Sequence, residues 1–105
     1  MDARNTATPE LLDVLHVHRD RINALGIQYG ARRIRVFGSV ARREEGPESD
    51  VDFLVDFPRG YDMFTQRLAL VGELERLLAR NVEVIPEHEL NRHIKERVIG
   101  EAIEL

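Results

Sequence analysis

The sequence has no cysteine, so it can form neither a disulfide framework nor a thiolate zinc site. This absence fits a reducing compartment. No apolar run approaches the roughly 20 residues that a membrane-spanning helix needs. The N-terminal residues also lack the apolar stretch of a secretory signal. Together these absences predict a cytoplasmic protein that does not enter a membrane.

An excess of positive charge is also missing. The chain carries 15 Lys and Arg against 19 Asp and Glu, a formal net charge of −4. General electrostatic binding to nucleic acid needs a basic surface, so we expect no direct binding to nucleic acid. A chain of 105 residues with 43% apolar content can bury one small core. We therefore expect a polar, flexible segment over residues 1–8 and one domain over 9–105.

The apolar spacing predicts a helix, a strand, a short helix, a strand, a long helix, a strand and a last helix. Their expected spans are about 9–25, 32–37, 40–44, 51–55, 63–80, 82–85 and 91–104. The long helix joins the second and third strands, and such a crossover normally makes two strands parallel neighbours. The first strand reaches the same end of the sheet if it runs antiparallel to the second.

Carboxylates stand at the start of the second and third strands. Asp50 and Asp52 lie one residue apart, so on a strand they point to the same face with Cα atoms roughly 6.5–7 Å apart. Two carboxylates held close together repel each other unless a cation lies between them. Mg²⁺ is the cation that prefers such oxygen ligands. Glu83 would start the neighbouring parallel strand and join them. The alternative reading of Glu83 is an outward residue on an edge strand.

A Gly-Ser pair follows the first strand. Gly38 permits a tight turn, and Ser39 would cap the short helix, whose free N–H groups would face back over the turn. This arrangement suits a phosphate, although Gly-Ser before a helix is common as plain capping. A phosphate seat beside an acidic cluster is the architecture of phosphoryl or nucleotidyl transfer.

These motifs together resemble the DNA polymerase β-like nucleotidyltransferases, and most closely the minimal nucleotidyltransferase group. The matching residues are Gly38-Ser39, Ala41-Arg42, Ser49-Asp50-Val51-Asp52, Phe53-Leu54-Val55 and the later acid Glu83. The resemblance implies an α+β nucleotidyltransferase fold with a small mixed three-stranded sheet packed with helices. It also implies ATP as substrate and two Mg²⁺ ions. Many members are encoded beside a HEPN-type toxin and act as its antitoxin, and the better understood ones transfer AMP to a tyrosine hydroxyl of that toxin.

The resemblance also assigns roles by position. Gly38, Ser39 and Arg42 would bind the nucleotide, and Asp50, Asp52 and Glu83 would be the metal ligands and catalytic acids. Two positions depart from the family pattern. Arg43 stands where many members have Gly, and Glu83 stands where the third acid is usually Asp. The longer Glu83 side chain could displace the third ligand and alter activity.

Three functions therefore stay open at this point. The first is an AMP transferase that modifies a partner toxin and forms a hetero-oligomer with it. The second is a weak or inactive antitoxin that neutralises its toxin by binding alone, which the Glu83 substitution favours. The third is a nucleotidyltransferase acting on a small molecule, for which a chain of 105 residues leaves little room to build an acceptor pocket.

Overall fold

The computed structural model describes residues 10–105, which form a four-stranded sheet with helices on both faces. The elements are α1 Leu11–Val17, α2 Arg19–Gln28, β1 Ile34–Phe37, α3 Gly38–Ala41, β2 Val51–Val55, α4 Ala69–Leu78, β3 Val82–Pro86, α5 Arg92–Glu101 and β4 Ile103–Glu104. A π-helical segment, Met63–Leu68, leads directly into α4, and a 3₁₀ turn, Glu87–Glu89, follows β3. Within residues 10–105, no helix is both long enough and apolar enough to cross a bilayer.

The strands lie in the order β3–β2–β1–β4. β2 and β3 are parallel neighbours joined through α4, whereas β1 runs antiparallel to both β2 and β4. These directions confirm the expected parallel crossover, and they give the first strand the antiparallel direction that brings its end to the starts of β2 and β3. As a result, the end of β1 and the starts of β2 and β3 meet at one edge of the sheet.

Alternation along the strands divides the sheet into two faces. Apolar residues on one face pack against α1, α2 and α4 and form the main core, which includes Leu15, Ile22, Val36, Val51, Phe53, Val55, Leu70, Leu74 and Val84. The opposite face carries Phe37 and Leu54, which pack against Val98 of α5. Asp52 lies between residues of the main core on β2, so its side chain belongs to the face that α5 partly covers.

The expected count of three strands is wrong, because the last helix ends earlier than its apolar spacing suggested. α5 stops at Glu101, Ala102 is extended with φ −66° and ψ 138°, and Ile103–Glu104 pair with β1 as a fourth strand. Arg33 holds this short strand through two hydrogen bonds to the Glu104 carboxylate, at 3.0 and 3.1 Å. Pairing with a distant strand therefore overrides the helical periodicity of the last residues.

The first helix also differs from its expected span of 9–25. It is divided at His18 (φ −97°, ψ 13°) into α1 and α2, and α2 continues through Gly26 as far as Gln28. Gly26 is buried inside α2 and does not end it. The expected flexible segment 1–8 lies outside the described residues.

The first strand is more buried than its sequence indicated. Alternation of Arg and apolar residues is typical of a half-buried strand, yet all four residues of β1 are buried, and Arg35 is only 4% exposed. β1 is an interior strand, so both of its edges are paired. The Arg35 guanidinium donates to Glu87 at 2.5 Å, which supplies the charge partner that a buried arginine requires.

Candidate active site

Asp52 lies where three strands meet. It pairs across the sheet with Phe37 of β1 on one side and with Glu83 of β3 on the other. Residues in register on adjacent strands project from the same face, with backbones about 4.8 Å apart. The structure therefore brings Glu83 beside Asp52, as the parallel crossover predicted. Glu83 is exposed on the edge strand β3, and Asp50 is exposed just before β2.

The turn after β1 contacts the Asp52 carboxylate directly. Gly38 has φ +76°, a backbone conformation that residues with a Cβ atom rarely adopt. A Cβ at this position would also collide with Oδ2 of Asp52. Both the conformation and the space therefore require glycine. The Gly-Ser turn lies beside Asp52, as expected, and this close contact helps to explain why residue 38 is a glycine.

The helix after the turn begins earlier than expected. α3 covers Gly38–Ala41 rather than 40–44, and Phe37 is its N-cap. Ser39 is thus the second residue of the helix and not its cap, contrary to the expectation. The positive φ of Gly38 redirects the chain at once, so no separate capping residue is needed between strand and helix.

The electrostatics of the cluster are visible at Asp52. Its pKa is raised from the ordinary 3.8 to about 6, first because the carboxylate is half-buried and then because Glu83 and Asp50 add negative charge nearby. Arg42 acts in the opposite direction and lowers the pKa. A cation bound beside Asp52 would offset this repulsion and stabilise its ionised form.

The donor chemistry at this edge suits Mg²⁺, which prefers carboxylate oxygens. Asp52 and Glu83 form a pair in register on adjacent strands, and the negative charge of Asp50 raises the pKa of Asp52. Within residues 10–105, however, no three side chains of the His, Asp or Glu type are gathered closely enough to hold one ion as they stand. The pair of Asp52 and Glu83 is therefore in place, and Mg²⁺ in nucleotide sites is usually bound by one or two carboxylates together with waters and substrate phosphates.

A residue that the sequence did not single out occupies the predicted phosphate position. Glu101, at the end of α5, accepts a hydrogen bond from the Gly38 backbone N–H at 2.8 Å. Nη1 of Arg42 donates to both oxygens of the same carboxylate at 3.1 Å. The Nε of Arg42 also donates to Glu44 at 3.0 Å, and these two acids raise the pKa of the guanidinium, Glu44 more than Glu101. No spacing in the sequence links Glu101 to a turn some 60 residues earlier.

Comparison with known proteins decides the family. A family model described as a nucleotidyltransferase domain matches residues 19–105. The chain belongs to this family. The protein adenylyltransferase MntA of Thermococcus cleftensis is 32% identical over 94 residues, which make up 90% of this chain and 91% of that protein.

Solved structures agree with the fold of this nucleotidyltransferase. A structure provisionally assigned as a minimal nucleotidyltransferase has a TM-score of 0.79 at 39% identity and covers 90% of this chain and 95% of its own. A chain from a toxin–antitoxin crystal structure with AMP-PNP has a TM-score of 0.68 at 20% identity and covers 80% of this chain and 68% of its own. The second likeness shows the fold alone. The resemblance to minimal nucleotidyltransferases is thus confirmed, while the roles of individual residues stay predictions.

The departure at Arg43 has a conformational consequence in this nucleotidyltransferase. Arg43 has φ +58°, in the left-handed region that favours glycine. Its guanidinium binds Glu10 and also reaches Asp13 at 3.4 Å. The arginine therefore accepts an unfavourable backbone conformation and links the turn after α3 to the start of α1.

Proposed function

We propose that this nucleotidyltransferase is a protein adenylyltransferase that uses ATP and Mg²⁺ to modify a tyrosine hydroxyl of a HEPN-type toxin and thereby acts as the antitoxin. The observation that carries the proposal is the contact of the Gly38 turn with Asp52, which is itself in register with Glu83. A phosphate-binding turn and a pair of acids at one sheet edge are the two parts that nucleotidyl transfer needs. The name of the Thermococcus relative supports the choice of protein as the acceptor.

The residues of the chain then take the following parts. The backbone N–H of Gly38, the Ser39 hydroxyl and the Arg42 guanidinium hold the phosphates of ATP. Asp50, Asp52 and Glu83 hold two Mg²⁺ ions. When bound, Mg²⁺ neutralises the triphosphate and lowers the pKa of the attacking hydroxyl. Half-burial of Asp52 limits its solvation by water, so its carboxylate is available to a cation.

The test is incubation of the protein with labelled ATP, Mg²⁺ and the toxin encoded next to it. We expect label on the toxin, lost with Asp52→Asn and retained with the matched control Asp56→Asn, whose aspartate pairs with Arg32 outside the site. Glu83→Asp should retain transfer and Glu83→Gln should lose it, if Glu83 is the third acid. Absence of label under any metal condition, or equal labelling by Asp52→Asn, would contradict the proposal.

Neutralisation by binding alone is the second function that the structure favours. Within residues 10–105 no three acidic or histidine side chains are assembled for one ion, and Glu101 holds the Gly38 amide. Under this alternative, the Asp50→Asn/Asp52→Asn double variant still protects cells from the toxin. Loss of protection by that variant, with its expression and toxin binding unchanged, would eliminate the alternative.

A further inference from the structure

Glu101 makes a set of contacts that a phosphate group would also make. One oxygen accepts the backbone N–H of Gly38 at 2.8 Å, and both oxygens lie 3.1 Å from Nη1 of Arg42. The carboxylate is well enclosed, with 17% of the side chain exposed. A carboxylate and a phosphate use the same chemistry here, since each offers anionic oxygens to a backbone donor and a guanidinium.

The position of this carboxylate also places its charge among the acids of the site. The charge of Glu101 is among the causes that raise the pKa of Asp52, after burial, Glu83 and Asp50. A nucleotide approaching this edge would meet two obstacles. Its phosphate would compete for donors that are already engaged, and it would face an additional negative charge.

We propose that Glu101 is an internal competitor of the nucleotide: its carboxylate occupies the phosphate seat formed by Gly38 and Arg42, and it must leave before the phosphates of ATP can bind there. This inference rests on the proposed function, because it takes the Gly38 turn as the nucleotide site. The free protein thus exists in a closed form with Glu101 bound and an open form that admits ATP. The observed affinity for nucleotide is lower than that of the open form by the open fraction.

Displacement of Glu101 also releases the end of the chain. Glu101 is the last residue of α5, and Ala102 connects it directly to β4. The contact with Gly38 is therefore one of the links between this segment and the edge of the sheet that carries the acids. Occupation of the phosphate seat by nucleotide should loosen residues 98–104 relative to the rest of the domain.

The experiment measures binding of AMP-PNP with Mg²⁺ to the full chain by isothermal titration calorimetry. Glu101→Gln keeps the shape of the side chain and removes its charge, and Glu101→Ala removes the carboxylate altogether. We expect both variants to bind AMP-PNP about tenfold more tightly than the wild type, because glutamine weakens and alanine removes the contact that stabilises the closed form. Glu96→Gln, an exposed acid on the same helix, is the matched control and should bind as the wild type does.

A second measurement needs no substitution. In the wild type, saturating AMP-PNP with Mg²⁺ should raise amide hydrogen exchange several-fold in residues 98–104 while protecting residues 37–40. Binding by Glu101→Gln that equals or is weaker than wild-type binding, or unchanged exchange in residues 98–104, would overturn the inference and leave the proposed function intact. Failure of the wild type and all variants to bind AMP-PNP would refute the proposed function, and the inference with it.

Discussion

Asp52→Asn should abolish nucleotidyl transfer and, at the same time, stabilise the metal-free protein at neutral pH. The pKa of Asp52 rises from 3.8 to about 6 because the carboxylate is half-buried and faces Glu83 and Asp50. The folded state therefore resists the charged form. Asparagine has nearly the same shape and no charge, so it removes both the desolvation cost and the repulsion.

The size and sign of this effect follow from the pKa. A rise of this extent corresponds to roughly 3 kcal/mol at full ionisation. Since Asp52 is only partly buried and solvent screens its neighbours, we expect about 1–2 kcal/mol. The folded-state pKa is the higher one, so the wild type loses this stability as pH rises from 3.8 to about 6 and stays at the lower level above that range.

The assay is urea unfolding followed by far-UV circular dichroism in the presence of EDTA. Asp52→Asn should exceed the wild type in unfolding free energy by about 1–2 kcal/mol near pH 7.5, and the difference should nearly vanish near pH 4. Mg²⁺ should then stabilise the wild type and not the variant. Asp20→Asn, which changes an exposed acid on α2, is the control and should alter stability by less than about 0.5 kcal/mol.

Two results would refute this reasoning. One is a variant that is less stable than the wild type at neutral pH, which would mean that the Asp52 carboxylate is stabilised by partners rather than penalised. The other is a stability difference that persists unchanged at low pH, which would mean that its origin is packing and not charge.

Three further predictions concern single side chains and are checked by urea unfolding. Gly38→Ala should cost more than about 2 kcal/mol and abolish transfer, since its φ of +76° and the Asp52 contact exclude a Cβ, whereas Gly72→Ala in the open middle of α4 should gain about 0.5–1 kcal/mol. Arg43→Gly should be about 1 kcal/mol more stable than Arg43→Ala, because φ +58° favours glycine. Glu87→Gln should cost about 2 kcal/mol by leaving the buried Arg35 without a counter-charge.

For each of these three predictions, one result would contradict the reasoning. Equal effects of alanine at positions 38 and 72 would show that the turn tolerates a side chain. A greater stability of alanine than of glycine at position 43 would mean that the left-handed conformation does not persist there. Arg35→Met should cost less than Glu87→Gln, because Glu87 is 36% exposed and water can solvate its charge; the reverse order would exclude the counter-charge argument.

Much of the sheet was predictable because its signals are local. Val51, Phe53 and Val55 recur at every second position of β2, and β3 is a short segment rich in β-branched residues that ends at Pro86. A helix-length connection between the two strands makes them parallel. Parallel pairing of strands that begin together then brings Glu83 beside Asp52, which is why the sequence alone indicates the acidic pair. Asp62 caps the segment that follows it, accepting hydrogen bonds from the N–H groups of Phe64 and Thr65.

Burial of charge was not predictable from these signals. The alternation in β1 is the same whether Arg35 faces water or the inside of the fold, and only the covering of that face by later elements decides. Its partner Glu87 is 52 residues away along the chain. The extra strand β4 has the same cause, since two residues form a strand only when a paired neighbour is already in place.

The amino-acid sequence by itself determined the types of the main elements, the parallel pairing of β2 with β3 and the acids at the starts of these two strands, because hydrophobic period and turn residues act over a few neighbouring positions. Only the tertiary structure decided what fills the space beside the Gly38 turn. The carboxylate of Glu101 comes from 63 residues further along the chain, and its hydrogen bonds depend on the packing of α5 against the sheet. Contacts between residues so far apart in sequence form only when the whole chain is folded, so no local sequence pattern predicts them.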